Sequence, residues 1–433
     1  MEDIKMDIDI YGLEIFKLIE ELYPICRSIT GNGVRSTLEI IKKHIPITVH
    51  EVASGTQVLD WVIPEEWNVV DAFVKDEQGI KVIDFKKSNL HLLNYSSPIH
   101  KFLQLDELKE HLYFLPDHPE WIPYVTSYYQ KNWGFCLSYD DYNKLTDGIY
   151  EVFIDTSFKA GNLTYGEFLI KGQSEKEVVI SCYLCHPSLC NDSLTGVAIA
   201  AFLAKHLKSR KHYYSYRFLF IPETIGSITW LHFNEDKLGK IEHGLIATCL
   251  GDNGAMTYKK SRQGNAKIDK VVEKVLIDSG NPYNIIEFDP SDGSDDRQYC
   301  STGFNLPFGT LMRTKYGCFP EYHTSADNLD FIKPDYLGQS LKYYIDILYY
   351  LEKDDKYLNI YPKGEPNMGK RNLYRSVNKS EVKNSQAVIF WVLNFSDGQH
   401  SLLDISYRSG FSFREICNGA KILCEAGLIQ KIE

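Results

Sequence analysis

Cys185-His186-Pro187-Ser188-Leu189-Cys190-Asn191-Asp192-Ser193-Leu194-Thr195-Gly196 is the stretch on which the reading of this chain turns. The run before it, Val178-Val179-Ile180-Ser181-Cys182-Tyr183-Leu184, has the length and β-branched content of a buried strand. Beyond Asp192 the period changes: Val197, Ile199, Ala200, Ala201, Leu203, Ala204 and Leu207 fall on one helix. His186 and Asp192 therefore belong to a strand-to-helix loop. Two more apolar runs end in carboxylates. Phe218-Leu219-Phe220-Ile221 leads into Pro222-Glu223, and Leu245-Ile246-Ala247-Thr248-Cys249-Leu250 leads into Gly251-Asp252. In open α/β sheets the carboxyl ends of the strands are where ligands bind. A fourth candidate, His323, stands in Glu321-Tyr322-His323-Thr324-Ser325-Ala326-Asp327.

Each of these residues has an ordinary explanation when taken alone. His186 could be a loop histidine, Asp192 the N-cap of the helix that follows, and Glu223 the cap of Gly226 to His232. Taken together they have a better one, because strand ends in one sheet converge in space. Histidines with carboxylates, and no ordered cysteine pairs, form the donor set of a catalytic zinc site with an open position. Cys182, Cys185 and Cys190 are spaced C-x2-C-x4-C, but no second pair follows, so they read as packing thiols. His206, His212, His232 and His243 read as solvated histidines on helix or turn surfaces.

The order His, Asp, Glu, Asp, His resembles the co-catalytic zinc aminopeptidases, the family of bacterial leucyl aminopeptidase and glutamate carboxypeptidase II. Asn191-Asp192-Ser193-Leu194-Thr195-Gly196 is similar to that family's Asn-Asp-Asn-x-Ser-Gly segment, and the Glu223 and Tyr322–Asp327 segments match in type and order. Within the group the chain looks most similar to bacterial proteins with an aminopeptidase-like domain, often linked with polysaccharide gene clusters. The resemblance spans roughly residues 1–45 and 130–355. It implies that His186 and Asp252 hold one zinc, that Asp192 bridges two metals, and that His323 belongs to the second. It makes Glu223 the general base and then acid, and lets Arg313 or Tyr322 steady the oxyanion. It lines the site with an Asp that Ser294-Asp295 matches by position, with Asp289, Asp292 and Asp296 as the alternatives. One departure bears on the chemistry. The family carries two adjacent Glu residues where this chain has Glu223-Thr224, and a hydroxyl is a poor zinc ligand. Either the second site is weak or empty, or Glu321 completes it, or Glu223 itself turns to the metal. One Zn2+ is expected, with a second left open.

Outward from this centre, residues 1–45 and 126–355 form the expected aminopeptidase-like body, a mixed α/β sheet flanked by helices. Residues 46–125 have all-β texture. Alternating runs such as Trp67-Asn68-Val69-Val70-Asp71-Ala72-Phe73-Val74 are separated by turns such as Asp76-Glu77-Gln78-Gly79, and they read as an inserted β domain. A polar Pro/Gly stretch, Tyr361-Pro362-Lys363-Gly364-Glu365-Pro366, then reads as a linker to residues 366–433. There, three helices with Gly410 before the third resemble a winged helix-turn-helix. Its basic residues include Arg375, Lys379 and Lys383.

Composition narrows the rest. With 433 residues, 44% of them hydrophobic, the chain can bury a large core. A net charge of -11 and a pI near 5.7 weigh against nucleic acid as a partner. No apolar run reaches the roughly 18 residues that span a bilayer. The acidic start Met1–Asp7 lacks a signal-peptide core, and the scattered cysteines fit a reducing cytoplasm. The expectation is a cytoplasmic zinc-dependent hydrolase of aminopeptidase type, acting on a small peptide or amide. Amide cleavage on an amino-sugar or glycan precursor, and a non-catalytic metal-binding regulator, are the alternatives. A homo-oligomer is left open.

Overall fold

A computed structural model describes residues 8–371, 373 and 381–432. The acidic leader Met1–Asp7, Arg375 and Lys379 lie outside the described residues, as does the side chain of Lys383. The chain forms two compact units. One comprises the described residues of Glu2–Ala266 and Asn284–Lys342, the other those of Lys267–Tyr283 and Tyr343–Glu433.

The first unit is built on an eight-stranded mixed sheet. Its order is Thr48–Ala53, Asn162–Ile170, Ser215–Ile221, Glu177–Tyr183, Ile241–Ala247, Phe308–Met312, Met256–Lys259, Tyr283–Ile286. The four central strands, Ser215–Ile221 to Phe308–Met312, run parallel. Their neighbours on both sides, Asn162–Ile170 and Met256–Lys259, pair antiparallel. Glu177–Tyr183 and Ser215–Ile221 are buried at every position. Parallel strands covered on both faces read as unbroken apolar runs, which is why these were visible in the sequence. Thr195–Leu207 is the helix expected after Asp192, entered through a single π-type turn at Cys190–Leu194. A Cβ at Gly196 would collide with the Ala247 carbonyl oxygen, so glycine lets this helix start directly against the neighbouring strand.

The β texture resolves differently from its expected bounds. A four-stranded sheet runs Lys81–Asp84, Glu66–Lys75, Ile149–Lys159, Ile99–Gln104. Ile149–Lys159, read with the α/β body, pairs with Glu66–Lys75 instead. Thr48–Ala53, read with the insertion, pairs with Asn162–Ile170 at the edge of the main sheet. Local pattern announces a strand, but its partner is chosen by long-range packing. Trp67, Val74, Val152 and Ile154 share one hydrophobic cluster with Val179, Leu219 and Ile246, so the small sheet has no separate core.

The second unit carries the C-terminal module. Glu381–Phe395, Leu402–Ser409 and Phe413–Glu425 are its helices. Lys356–Asn359 lies between Asp397–Ser401 and Ile429–Lys431 in a three-stranded sheet, so the strand begins before the expected linker. Gly410, at φ 77°, ends the second helix in the left-handed conformation. The first turn of the third helix is tied down within the unit. Phe413 N–H donates to Asp278 at 2.8 Å, and Arg414 pairs with Asp346 at 2.8 Å. Among the described residues, no helix is long and apolar enough to cross a membrane. His212 and His243, read as solvated, are buried, since the strands beside them are covered on both faces.

Candidate metal centre

The parallel strands deliver side chains to one edge. His186 follows Glu177–Tyr183, and Glu223 follows Ser215–Ile221. His323 arrives on a later loop. One donor atom each from His186, Asp192 and His323 falls within 4.8 Å of the others. His323 Nε2 lies 3.0 Å and His186 Nε2 3.9 Å from Asp192 Oδ2, and Glu223 Oε2 lies 3.8 Å from His186 Nε2. Zinc bonds of 2.0–2.2 Å in a tetrahedral site place donors about 3.3 Å apart, so these spacings suit a metal ion.

The state of Asp192 supports that fit. Its Oδ1 accepts from the Tyr183 hydroxyl at 2.5 Å and from Thr248 Oγ1 at 3.4 Å. Its Oδ2 is buried and accepts no hydrogen bond, although His323 Nε2 stands close. A buried carboxylate oxygen without a donor calls for a cation. Burial works against the charge on Asp192, but His186, then His323 and Tyr183, more than offset it and hold the carboxyl at about 2. Burial likewise pushes His186 down to about 4, leaving the neutral imidazole that a metal requires.

Glu223 sits at the rim, with 28% of its side chain exposed. Burial, then the charges of Asp295 and Asp192, raise its carboxyl well above the usual range. Asp295, expected to line the site, is hydrogen-bonded to the turn that follows Glu223. Its Oδ1 accepts from Thr224 N–H at 2.7 Å and Ser227 Oγ at 2.8 Å, while Oδ2 is buried without a hydrogen bond. Burial raises it to about 6. Thr224, Cys249 and His323 all have positive φ, at 63°, 51° and 54°. Such positions cost of order 1–3 kcal/mol each and gather at functional sites.

Three expected participants stand apart from this cluster. Asp252 does not share that 4.8 Å cluster, and both its oxygens accept hydrogen bonds. Oδ2 accepts from Asn191 Nδ2 at 2.8 Å and Thr314 N–H at 3.3 Å, and Oδ1 from Gly254 N–H and Thr314 Oγ1, each at 2.6 Å. Arg313 points away: its guanidinium donates to Ser340 Oγ, Gly254 O, Tyr336 O and Gln339 Oε1. The Glu321 carboxylate is not among the grouped donors, and its carbonyl accepts from the Thr324 N–H and hydroxyl. Tyr322 stacks on the His323 ring, 3.9 Å between centroids.

Other supports were not anticipated. Asp327 accepts from the N–H groups of Asn191 at 2.6 Å and Asp192 at 2.9 Å, clamping the loop that presents Asp192. Its place four residues after His323 was the available signal. Arg27, fully buried, donates its Nε–H to the His186 carbonyl at 2.8 Å. Tyr124 packs its ring 5.2 Å from His186 and 5.1 Å from His323, and its N–H donates to the His323 carbonyl. Neither residue belongs to a local pattern. Cys249, buried near Asp192, stands between the strand end and Asp252.

Residues 16–354 match the family model for a domain of unknown function, DUF4910, and residues 355–431 match a winged helix-turn-helix model. A Clostridium acetobutylicum protein, provisionally named a polysaccharide biosynthesis protein with aminopeptidase-like domain, is 54% identical over 97% of each chain. A crystal structure provisionally described as a peptidase, from the same organism, superposes with a TM-score of 0.94 at 52% identity over 98% of each chain. A zinc aminopeptidase from Bacillus subtilis shares the fold, with a TM-score of 0.60 at 12% identity, covering 81% of this chain and 96% of its own.

Proposed function

Because the chain belongs to the family defined by that domain of unknown function, DUF4910, whose Clostridium relative carries an aminopeptidase-like domain, we propose that it is a metal-dependent hydrolase of aminopeptidase type. The observation that carries this reading is the convergence of His186, Asp192 and His323 within 4.8 Å, with Asp192 Oδ2 buried and accepting no hydrogen bond. These three residues would hold one zinc. A zinc held there supplies a Lewis acid that polarises a scissile carbonyl and brings the pKa of water towards neutrality.

The chain's own residues do the rest. Glu223 is raised by burial and by two neighbouring carboxylates, and beside a dication it regains its charge. It then takes the proton of the attacking water and passes it to the leaving amine. Asp295 holds the Thr224 N–H and Ser227 hydroxyl, and so fixes the turn that aims Glu223. Asp327 and Tyr183 fix Asp192 from its backbone and its outer oxygen. Thr224 brings no carboxylate and Asp252 is occupied, so the reading is for one tightly held metal.

The name of the Clostridium relative favours a second reading, amide cleavage on an amino-sugar or glycan precursor. One experiment separates the readings. Protein reconstituted with zinc is analysed for metal, then assayed against aminoacyl amides, dipeptides and N-acetylated sugars. About one zinc per chain with release of free amino acids supports the aminopeptidase reading. Deacetylation alone moves the assignment to the second. A protein that retains no metal after reconstitution refutes both.

A further inference from the structure

A cavity of about 950 Å³ opens at the other ends of the same strands. Glu177 begins the seven-residue strand whose far end leads to His186, so about 20 Å of extended chain separates the two places. The cavity floor is a polar row crossing four neighbouring strands: His50, Glu167, Arg217 and Glu177. Arg217 donates Nε–H and an Nη2–H to the two oxygens of Glu177, each at 2.7 Å. Its Nη1 donates to Glu167, whose second oxygen lies 3.1 Å from His50 Nε2. Three interstrand steps of ~4.8 Å make the row ~14 Å long.

Burying such charges together contributes little net stability, because desolvation roughly cancels their attraction. Charged groups fixed in the floor of a cleft are, by contrast, what binding sites contain. The occupant follows from the hydrogen-bonding positions left over, since each carboxylate oxygen has a second lone pair and Arg217 has N–H groups beyond the three in its ion pairs. Arg217 has a carboxylate on each flank, so an anionic ligand would be repelled before reaching it. A cation would meet Arg217 between the two carboxylates. Around the whole cavity four carboxylates face four lysine or arginine side chains, favouring neither sign. What is left is hydrogen bonding, alternating acceptor, donor, acceptor along the row. Hydroxyl groups both donate and accept, and neighbouring hydroxyls on a chain match that alternation. Rings stand beside the row for apolar faces: His50 stacked on Tyr165 at 4.8 Å, and Phe233, 47% exposed.

We propose that this cavity is a binding site for a short neutral oligosaccharide, hydrogen-bonded to Glu167, Arg217 and Glu177 and stacked on Phe233, separate from the metal centre. The test is titration calorimetry of the full chain with four neutral tetrasaccharides as probes: cellotetraose, maltotetraose, chitotetraose and mannotetraose. At least one should bind saturably with a Kd below about 5 mM. Phe233→Ala and Glu177→Gln should each weaken it about tenfold, and His323→Ala should not change it. Phe233 is half exposed, so its variant tests the site without threatening the fold, and thermal melting checks the Glu177 variant. The proposal is overturned if none of the four binds, or if neither Phe233→Ala nor Glu177→Gln weakens binding. It is also overturned if His323→Ala abolishes binding, which would assign the sugar to the metal centre, or if inorganic phosphate occupies the cavity and excludes the sugar.

Discussion

The two ends of the central parallel strands carry polar clusters of opposite character. At the amino-end cavity, Arg217 pairs with Glu167 and Glu177. At the carboxyl ends, Asp192 Oδ2, Asp295 Oδ2 and His323 Nε2 are buried and accept or donate no hydrogen bond. The same sheet supports both. What separates them is the chain that follows each strand. At the carboxyl ends, loops hold carboxylates and imidazoles by their backbones, through Asp327, Tyr124 and Arg27, and leave their reactive atoms unmet. A polar cluster whose members pair with one another offers only its spare hydrogen-bonding positions to a neutral ligand, whereas one held from behind is ready for an ion and a reaction.

The contrast can be broken by substitution, and the largest effect belongs to Glu223. Glu223→Gln keeps the shape of the rim and removes the proton acceptor. It should lower turnover by about 10²- to 10⁴-fold with zinc content unchanged. Loss of zinc in that variant would make Glu223 a ligand instead. At the opposite end, Arg217→Met leaves the buried Glu177 and the partly buried Glu167 without their cation. It should cost about 3–5 kcal/mol in denaturant unfolding while leaving zinc affinity as it was. A shift in zinc affinity there would mean that the two ends are coupled.

Asp327→Asn sharpens the comparison, because it loosens only the backing of the metal loop. Zinc affinity, measured by competition with a chelator, should fall about 10- to 100-fold, in the range seen for outer partners of metal ligands. An unchanged affinity would show that the loop needs no clamp. Asp252→Ala is the smallest effect, and it separates sequence expectation from geometry. It strands the Asn191 amide and the Gly254 and Thr314 donors, so it should cost about 1–3 kcal/mol of stability and leave one zinc bound. Loss of that zinc would restore Asp252 to the ligand set.

Much of this was legible in the chain itself. The runs 178–184, 218–221 and 245–250 are too continuously apolar to be anything but buried strands. The polar residues at their ends fall at one edge, so His186, Asp192, Glu223 and Asp252 could be named together. The last two C-terminal helices could be read because each carries its own stop or cap, Ser401 and Gly410 for one and Ser412 for the other. These features are local: a period, a cap, a strand end.

Tertiary structure alone decided the rest. Asp252 and Cys249 are three residues apart, and no local rule says which of them faces Asp192. The hydrogen bonds of Thr314 and Asn191 take Asp252 away. Arg313 ends a strand as a site residue would, yet its donors find Ser340 and Gln339. Ile149–Lys159 and Thr48–Ala53 exchange the sheets expected of them, because strand partners are selected by shared burial and not by the strand's own sequence. Tyr124 and Arg27 reach the site from more than sixty residues away in sequence. Composition and periodicity determine which segments must be buried and where their ends lie. Which side chain is left without a partner depends on every donor packed around it, and only the folded chain supplies those donors.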